Sequence, residues 1–157
     1  MFLDEQRTWA LLRELDTAEH PRDYNSTANR GRFEQLVTRV EASFGHCSVE
    51  REAQWVPHHG TIVIPAEATA STEHLTLTVS NFGSLVAVTL GNPGSHDQEE
   101  EDVLFEQADR DRIGAALAAL GYHAISEHLL WQTYDGAAPH HSRHGRFSWW
   151  DRFFDYL

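Results

Sequence analysis

A run of carboxylates is the feature of this sequence whose residue types most directly suggest chemistry. Asp97 is followed closely by Glu99, Glu100, Glu101 and Asp102. General acid–base catalysis needs two carboxyl groups in different environments, one of them kept protonated by burial. Consecutive carboxylates in a polar segment are expected to face water together. We therefore expect this run to be either a solvated face or a docking surface for a basic partner.

Clustered histidines are the second feature that could carry chemistry. Three of the eleven histidines lie close together in one polar segment, and two more are adjacent upstream: His140, His141, His144, His58 and His59. Imidazoles three or four residues apart can bind one Zn²⁺ when they share a helix face. Pro139 and Gly145 argue against a helix there. A small metal-dependent enzyme that uses these histidines is the alternative interpretation, and the favoured one requires no metal or other cofactor.

The usual nucleophile and nucleotide-binding motifs do not occur. No serine lies in a Gly-x-Ser-x-Gly segment, and no Gly-x-Gly-x-x-Gly segment is present. Cys47 is the single cysteine, which excludes an internal disulfide and a multi-cysteine zinc site. A lone cysteine in a strand is more often a small buried apolar residue than a catalytic thiolate. We therefore expect no catalytic residues of these types.

The charge composition favours a basic protein as the partner. The chain has 24 acidic and 12 basic residues, which gives a net charge of −12, and every basic residue is arginine. Phosphate binding needs clustered positive charge, so nucleic acid and anionic membrane surfaces are disfavoured as partners. The absence of lysine also excludes Schiff-base and P-loop lysine chemistry.

Length and hydropathy favour one globular domain. The 157 residues are 41% hydrophobic, which is enough to build a core and excludes wholesale disorder. No apolar stretch approaches the 18 residues of a membrane span, and no signal peptide is recognisable at residues 1–20. We expect a single cytoplasmic domain over residues 1–157, with a mobile loop at 136–146.

Apolar spacing predicts two N-terminal helices. The first covers residues 4–19, with Asp4 as its N-cap. The second carries an apolar stripe at helical spacing: Phe33, Leu36, Val37, Val40 and Phe44. Gly45 is placed to end it in the left-handed conformation. We expect the two helices to form an antiparallel hairpin or to pack as a pair on one face of a sheet.

The period then changes to that of strands. Strands are predicted around residues 46–56, 61–64, 75–80 and 85–90, which together form a three- to four-stranded antiparallel meander. In the third of them apolar residues alternate with Thr76, Thr78 and Ser80, so that strand is expected to be half-buried. A third helix follows at about 109–120, and a short last strand is possible at 122–125. The expected fold class is α+β.

A dense aromatic segment ends the chain. Residues 149–157 read Trp-Trp-Asp-Arg-Phe-Phe-Asp-Tyr-Leu. Such a segment must dock on the body of the protein or on a partner. Core packing is expected for Trp149, Phe153 and Phe154. Trp150 and Tyr156 are the candidate interface anchors, because aromatic residues are frequent in binding hot spots.

This combination of features resembles a family of bacterial proteins. The acidic segment, the turn Ser80-Asn81-Phe82-Gly83 and the aromatic C-terminal tail are similar to those of immunity-type proteins of actinobacterial polymorphic toxin systems. The resemblance implies an inhibitor that binds a cognate toxin domain and blocks its active site. It transfers no functional residue position by position, and the oligomeric state remains open.

Overall fold

A five-stranded sheet forms the centre of the fold. The computed structural model describes residues 2–16, 27–51, 58–82, 84–136 and 147–154. The strands are β1 (Ser48–Arg51), β2 (His58–Ile64), β3 (Leu75–Ser80), β4 (Leu85–Leu90) and β5 (His123–Ser126). The strands lie in sequence order; β1 to β4 are antiparallel neighbours and β5 is parallel to β4. The predicted meander is confirmed at four strands, and the short last strand joins its edge.

Helices flank the sheet and complete the α+β fold that the sequence predicts. They are α1 (Glu5–Leu15), α2 (Thr27–Phe44), α3 (Gln98–Leu104), α4 (Gln107–Ala119) and α5 (Trp149–Phe153). Short 3-10 turns occur at Ala66–Ala68 and His128–Trp131. None of the helices in the described ranges combines the length and apolar character needed to cross a bilayer.

The stripe that predicts α2 is buried along its whole length. All five predicted core residues of α2 are at most 8% exposed, and α2 packs against α4 and against β2. Gly45 has a φ of +94°, as expected of a glycine that ends a helix. Gly60 on β2 lies directly under the helix, because a Cβ there would come within 2.7 Å of the Phe33 ring.

The two N-terminal helices contribute to different cores, and this corrects the expectation that they pack together. Phe33 and Leu36 of α2 belong to a core with Leu77 of β3 and Val86 of β4. Leu12 of α1 belongs to a second core with Leu85 and Ala87 of β4 and with the C-terminal aromatic residues. Successive residues of a strand point to opposite faces of a sheet. Because β4 supplies both cores, both of its faces are covered.

Strand β3 shows the same two-sided burial. The sequence predicts a half-buried strand with Thr76 and Thr78 facing water, but these side chains are 4% and 6% exposed. The Oγ1 of Thr76 donates to the carbonyl of Gly91 at 2.9 Å, and the Oγ of Ser80 donates to the carbonyl of Phe153 at 2.7 Å. The prediction is wrong because segments remote in sequence cover the face that the threonines occupy.

A helix forms in the acidic segment, whose sequence indicates only that it is polar. Asp97 accepts a hydrogen bond from the Glu100 amide at 2.8 Å, and Glu100 accepts one from the Asp97 amide at 3.2 Å. This reciprocal capping box starts α3. The chain therefore has two helices between β4 and β5 rather than one.

The start of α4 is anchored to the segment that precedes β3. Asp109 is fully buried, and its carboxylate accepts hydrogen bonds of 2.5 to 3.0 Å from the amides of Ala70 and Ser71 and from the Ser71 hydroxyl. That hydroxyl also accepts a bond from the amide of Glu106. The contacts tie the junction between α3 and α4 to the segment before β3.

The aromatic tail docks on the body of the protein over its described part. Trp149, Phe153 and Phe154 are at most 1% exposed, so their predicted core role is confirmed. The side chain of Trp149 stacks on Phe153, and that of Trp150 stacks on Phe154. Helical i, i+4 spacing therefore organises the tail. Most of the predicted mobile loop, residues 137–146, lies outside the described residues.

Candidate functional site

The exposed residues of α3 and its N-cap include both acidic and apolar side chains. These are four exposed carboxylates and two exposed apolar side chains: Asp97, Glu99, Glu100, Asp102, Val103 and Leu104. We call this set the α3 surface. Val103 is 79% and Leu104 is 41% exposed. With Trp131, they are the large hydrophobic residues that stand out from the surface of the described ranges.

Glu101 does not share this surface, although the sequence places it in the middle of the acidic run. It is only 2% exposed, and one of its carboxylate oxygens lies 3.1 Å from Nε2 of His128. The other oxygen lies 4.0 Å from the guanidinium of Arg110. The expectation that the run faces water as a whole is therefore wrong, because the first turn of a helix turns one of four consecutive side chains inward.

Burial changes the acidity of Glu101. Desolvation is the main cause that raises its pKa above the ordinary value, and the nearby charge of Glu127 adds to the rise. His128 and Arg110 act in the opposite direction. This carboxyl group is therefore harder to ionise than an ordinary glutamate.

His96 clamps the start of α3 to the segment before β3. Its Nε2 lies 2.7 Å from a carboxylate oxygen of Glu73, and its Nδ1 lies 3.6 Å from Glu100. The hydrogen bond to Glu73 is the largest cause that raises the pKa of His96 above its usual value, and the charge of Glu100 contributes. Protonated His96 thus helps to hold α3 in place.

This clamp predicts a pH-dependent contribution to stability. A histidine whose folded-state pKa is raised contributes fully below its unfolded value of about 6.5 and loses that contribution as pH rises through the folded value. We expect the melting temperatures of the parent and of His96→Gln to differ most below about pH 6.5 and to converge at higher pH. Thermal melts from pH 5 to 9 measure this, with His123→Gln as the exposed control. A constant difference across that range would contradict the clamp.

Trp150 is buried rather than exposed. It is 6% exposed and stacks between Trp131 at 5.0 Å and Phe154 at 4.9 Å, measured between ring centroids. Trp150 therefore packs inside the protein, and Trp131 is the more accessible of the two stacked indole rings. The second predicted anchor, Tyr156, lies outside the described residues.

The histidine cluster of the alternative interpretation cannot be placed. His140, His141 and His144 lie outside the described residues, as does the side chain of His58. His59 is half-buried, and its Nδ1 lies 3.1 Å from Oδ1 of Asn81. The structure brings His59 next to Phe33 and Asn81 and, in the described ranges, into no group of metal-ligating side chains.

A cleft of about 440 Å³ opens on the side of the sheet opposite α2. Its floor is made by strand residues and its wall by aromatic side chains, and the lining comprises Glu50, Thr61, Val63, Thr76, Thr78, Asn92, Pro93, Trp131, Trp150 and Phe154. Of the described residues that line it, Glu50 alone carries a titratable group. The cleft therefore lacks, in the described ranges, the paired groups that acid–base catalysis uses.

The single cysteine is in a chemically quiet environment. Cys47 is 3% exposed, which confirms the expected burial. Desolvation, with a contribution from the charge of Glu41, raises its pKa to about 11. The thiolate that would act as a nucleophile is thus scarce at neutral pH.

Comparisons with known proteins identify no relative. No family model, no curated protein and no solved structure matches the chain. The function therefore has to be argued from the α3 surface and its surroundings.

Two residues of these surroundings give no signal in the sequence. Glu127 is fully buried, and its Oε2 accepts hydrogen bonds from the Gly94 amide at 2.8 Å and from Nε1 of Trp131 at 3.0 Å. His128 follows it and reaches Glu101 behind α3. Neither residue lies in a motif. Only the fold brings them next to Glu101 of α3, which lies 26 residues before Glu127 in the chain. The capping pattern from Asp97 to Glu100 is the local signal that could have revealed α3.

Proposed function

We propose that this chain is an acidic binding protein that neutralises a basic toxin domain by covering that domain's active site, and that it docks through the α3 surface. The observation that carries the proposal is the exposure of Val103 and Leu104 among four exposed carboxylates on one short helix. Protein interfaces commonly have an apolar centre surrounded by a polar rim. The α3 surface combines both components, with the apolar pair at the C-terminal end of the helix and carboxylates of one charge sign before it.

The charge of the whole chain supports the same partner chemistry. The net charge of −12 attracts a basic protein over distances of about a Debye length, 8 to 10 Å at physiological salt. Toxin domains that act on nucleic acid need a basic active-site surface to bind phosphates. An acidic helix set against such a surface would occupy the place of the nucleic-acid backbone.

The exposed apolar pair, Val103 and Leu104, supplies what charge alone does not. Exposed charge pairs chiefly accelerate association, whereas desolvated contacts at the centre of an interface slow dissociation. Val103, at 79% exposure, is available to enter a pocket of the partner. We therefore expect the carboxylates to set the association rate and Val103 to set the residence time.

Neutralising exposed carboxylates of the α3 surface should slow association. The variant carries Glu99→Gln and Asp102→Asn, and it keeps the buried Glu101 and the capping residues Asp97 and Glu100. We expect kon for the partner to fall about tenfold at low salt and its salt dependence to flatten, since steering by complementary charge raises association rates by 10- to 1,000-fold. Surface plasmon resonance between 25 and 300 mM salt measures both effects. The partner tested is the product of the neighbouring upstream gene if that product carries a basic domain, and otherwise a basic protein recovered by pull-down.

A matched control separates local from global charge. The variant Glu5→Gln, Glu67→Gln changes the net charge by the same two units at exposed positions outside the α3 surface. It should leave kon within about twofold of the parent, while Val103→Ser should raise koff. Equal losses of kon in both charge variants would show that α3 is not the docking surface. Turnover of a substrate that requires added Zn²⁺ or Mn²⁺, with no protein bound, would favour the metal-dependent enzyme instead.

A further inference from the structure

A buried cluster of metal-ligating side chains lies behind α3. Glu101 comes from α3, and Glu127 and His128 come from the turn that follows β5. Glu101 is 2% exposed, Glu127 is fully buried and the His128 side chain is 18% exposed. One ligand atom from each residue lies within 4.8 Å of the other two.

The polar atoms of this cluster are short of hydrogen-bond partners. In the described part of the chain, Oε1 of Glu127, Oε2 of Glu101 and Nε2 of His128 make no hydrogen bond of acceptable geometry. The last two atoms are 3.1 Å apart but are not aligned for one. Buried polar atoms in folded proteins nearly always have a partner, so three orphaned atoms in one cluster of side chains call for an explanation.

The negative charge of the cluster also calls for a compensating group. Two buried carboxylates face each other, and Arg110 approaches one of them only to 4.0 Å. Placing carboxylates together in a desolvated site is unfavourable unless a proton or a cation compensates. A divalent ion bound between the three side chains would compensate the negative charge of the carboxylates. The orphaned atoms would then coordinate the ion.

We propose that Glu101, Glu127 and His128 form a binding site for a divalent transition-metal ion, with Zn²⁺ as the best match. Two carboxylates and one imidazole are a mixed oxygen and nitrogen donor set, which suits Zn²⁺ or Mn²⁺, whereas Mg²⁺ and Ca²⁺ prefer oxygen donors alone. The ion would tie α3 to the turn at His128–Trp131 and so hold the α3 surface in position. This proposal does not depend on the identity of any partner.

Hydrogen bonds from outside the proposed site already orient one of the proposed ligands, Glu127. Oε2 of Glu127 is held by the Gly94 amide and by Nε1 of Trp131, which leaves Oε1 for the ion. Such outer contacts are a regular feature of metal sites, because they fix the ligand before the metal arrives.

Metal titration of the full chain tests the proposal. After removal of metals with EDTA and dialysis, isothermal titration calorimetry and thermal melts are run with ZnCl₂, and then with MnCl₂ and MgCl₂. The variant His140→Gln, His141→Gln, His144→Gln removes the clustered loop histidines, and His46→Gln removes an exposed one with a 93% exposed side chain. We expect one Zn²⁺ site per chain and a raised melting temperature in the parent and in both controls, with a much weaker response to Mg²⁺.

Loss of a proposed ligand should remove that site. His128→Gln and Glu127→Gln should each weaken Zn²⁺ binding by at least about 100-fold, the upper end of the cost of losing an outer-shell contact. Unchanged binding in both variants, or loss of all Zn²⁺ binding in the loop variant, would overturn the proposal. If a ligand variant fails to fold, the parent decides the question by NMR: Zn²⁺ must shift the His128 Nε2 resonance at one equivalent, and an unaffected resonance refutes the site.

Discussion

Deletion of residues 149–157 should abolish cooperative folding. The described part of this segment is core: Trp149 is 1%, Phe153 is 0% and Phe154 is 1% exposed. Truncation of a large buried aromatic residue costs about 3–5 kcal/mol, and the whole stability of a domain is about 5–15 kcal/mol. Loss of three such residues exceeds what the rest of the fold can supply. Circular dichroism and a thermal melt should show an unfolded or aggregating product.

A single substitution measures how much one residue of this segment contributes to the stability of the fold. Trp149 makes edge contacts with Trp9 at 5.4 Å and Tyr134 at 4.7 Å and stacks on Phe153 at 6.0 Å. It therefore joins α1, the segment after β5 and α5. We expect Trp149→Ala to lower the free energy of unfolding by about 3–5 kcal/mol.

An exposed apolar residue provides the control for this measurement. Val103→Ala truncates a side chain that is 79% exposed and should change stability by less than about 0.5 kcal/mol. Urea denaturation of the two variants and the parent compares them directly. A tail deletion that melts cooperatively near the parent temperature would show that the segment is dispensable to the core and would favour an interface role for it.

Local sequence patterns predicted the elements that carry a periodic apolar stripe. The five apolar positions of α2 and the apolar run of β4 are buried as expected, because burial on one helix face or along one strand imposes its own spacing on the sequence. The docking of the tail was also predictable, since so many aromatic residues cannot remain in water.

Contacts between remote segments could not be predicted in the same way. Thr76 and Thr78 carry the pattern of an exposed strand face, yet they are buried on the side of the sheet where Trp150 and Phe154 line the cleft. Nothing in the alternation of β3 encodes what covers its polar side. The same holds for α1, whose apolar face fits a partner helix as well as it fits the aromatic residues it meets.

The candidate site, too, could be predicted only in part from the sequence. The acidic character of the segment from Asp97 to Asp102 is visible in the sequence, but the inward turn of Glu101 depends on α3 being helical. The meeting of Glu101 with Glu127 and His128 depends further on the return of the chain through α4 and β5. A search by short motif cannot find ligands that only topology brings together.

A buried ion pair between the two ends of the chain carries the second large effect. Arg152 of α5 is 3% exposed, and its Nε donates to a carboxylate oxygen of Asp16 at 3.0 Å. Asp16 ends α1, is 6% exposed and also accepts a hydrogen bond from the Tyr134 hydroxyl. The guanidinium lies 4.5 Å from the ring centroid of Phe82. Three segments far apart in sequence thus meet at one carboxylate.

Arg152→Met should destabilise the fold by about 3–5 kcal/mol, since removing one partner of a buried ion pair is strongly destabilising. The methionine preserves most of the apolar contact with Phe82, so the loss reports on charge rather than on volume. Arg152→Lys should be more stable than Arg152→Met but less stable than the parent. The reason is that an ammonium group, unlike the planar guanidinium, cannot stack on an aromatic ring while it donates hydrogen bonds to a carboxylate.

A double-mutant cycle isolates the pair from the rest of the network. The double variant Asp16→Asn, Arg152→Met removes both charges and should be more stable than the sum of the two single losses predicts, by about 1–3 kcal/mol of coupling. Urea denaturation of the parent, the two single variants and the double variant gives this value. Strict additivity would show that the contribution of Arg152 to stability does not depend on Asp16. A positive coupling places the ion pair, together with the buried aromatic residues, among the contacts that hold the C-terminal helix to α1.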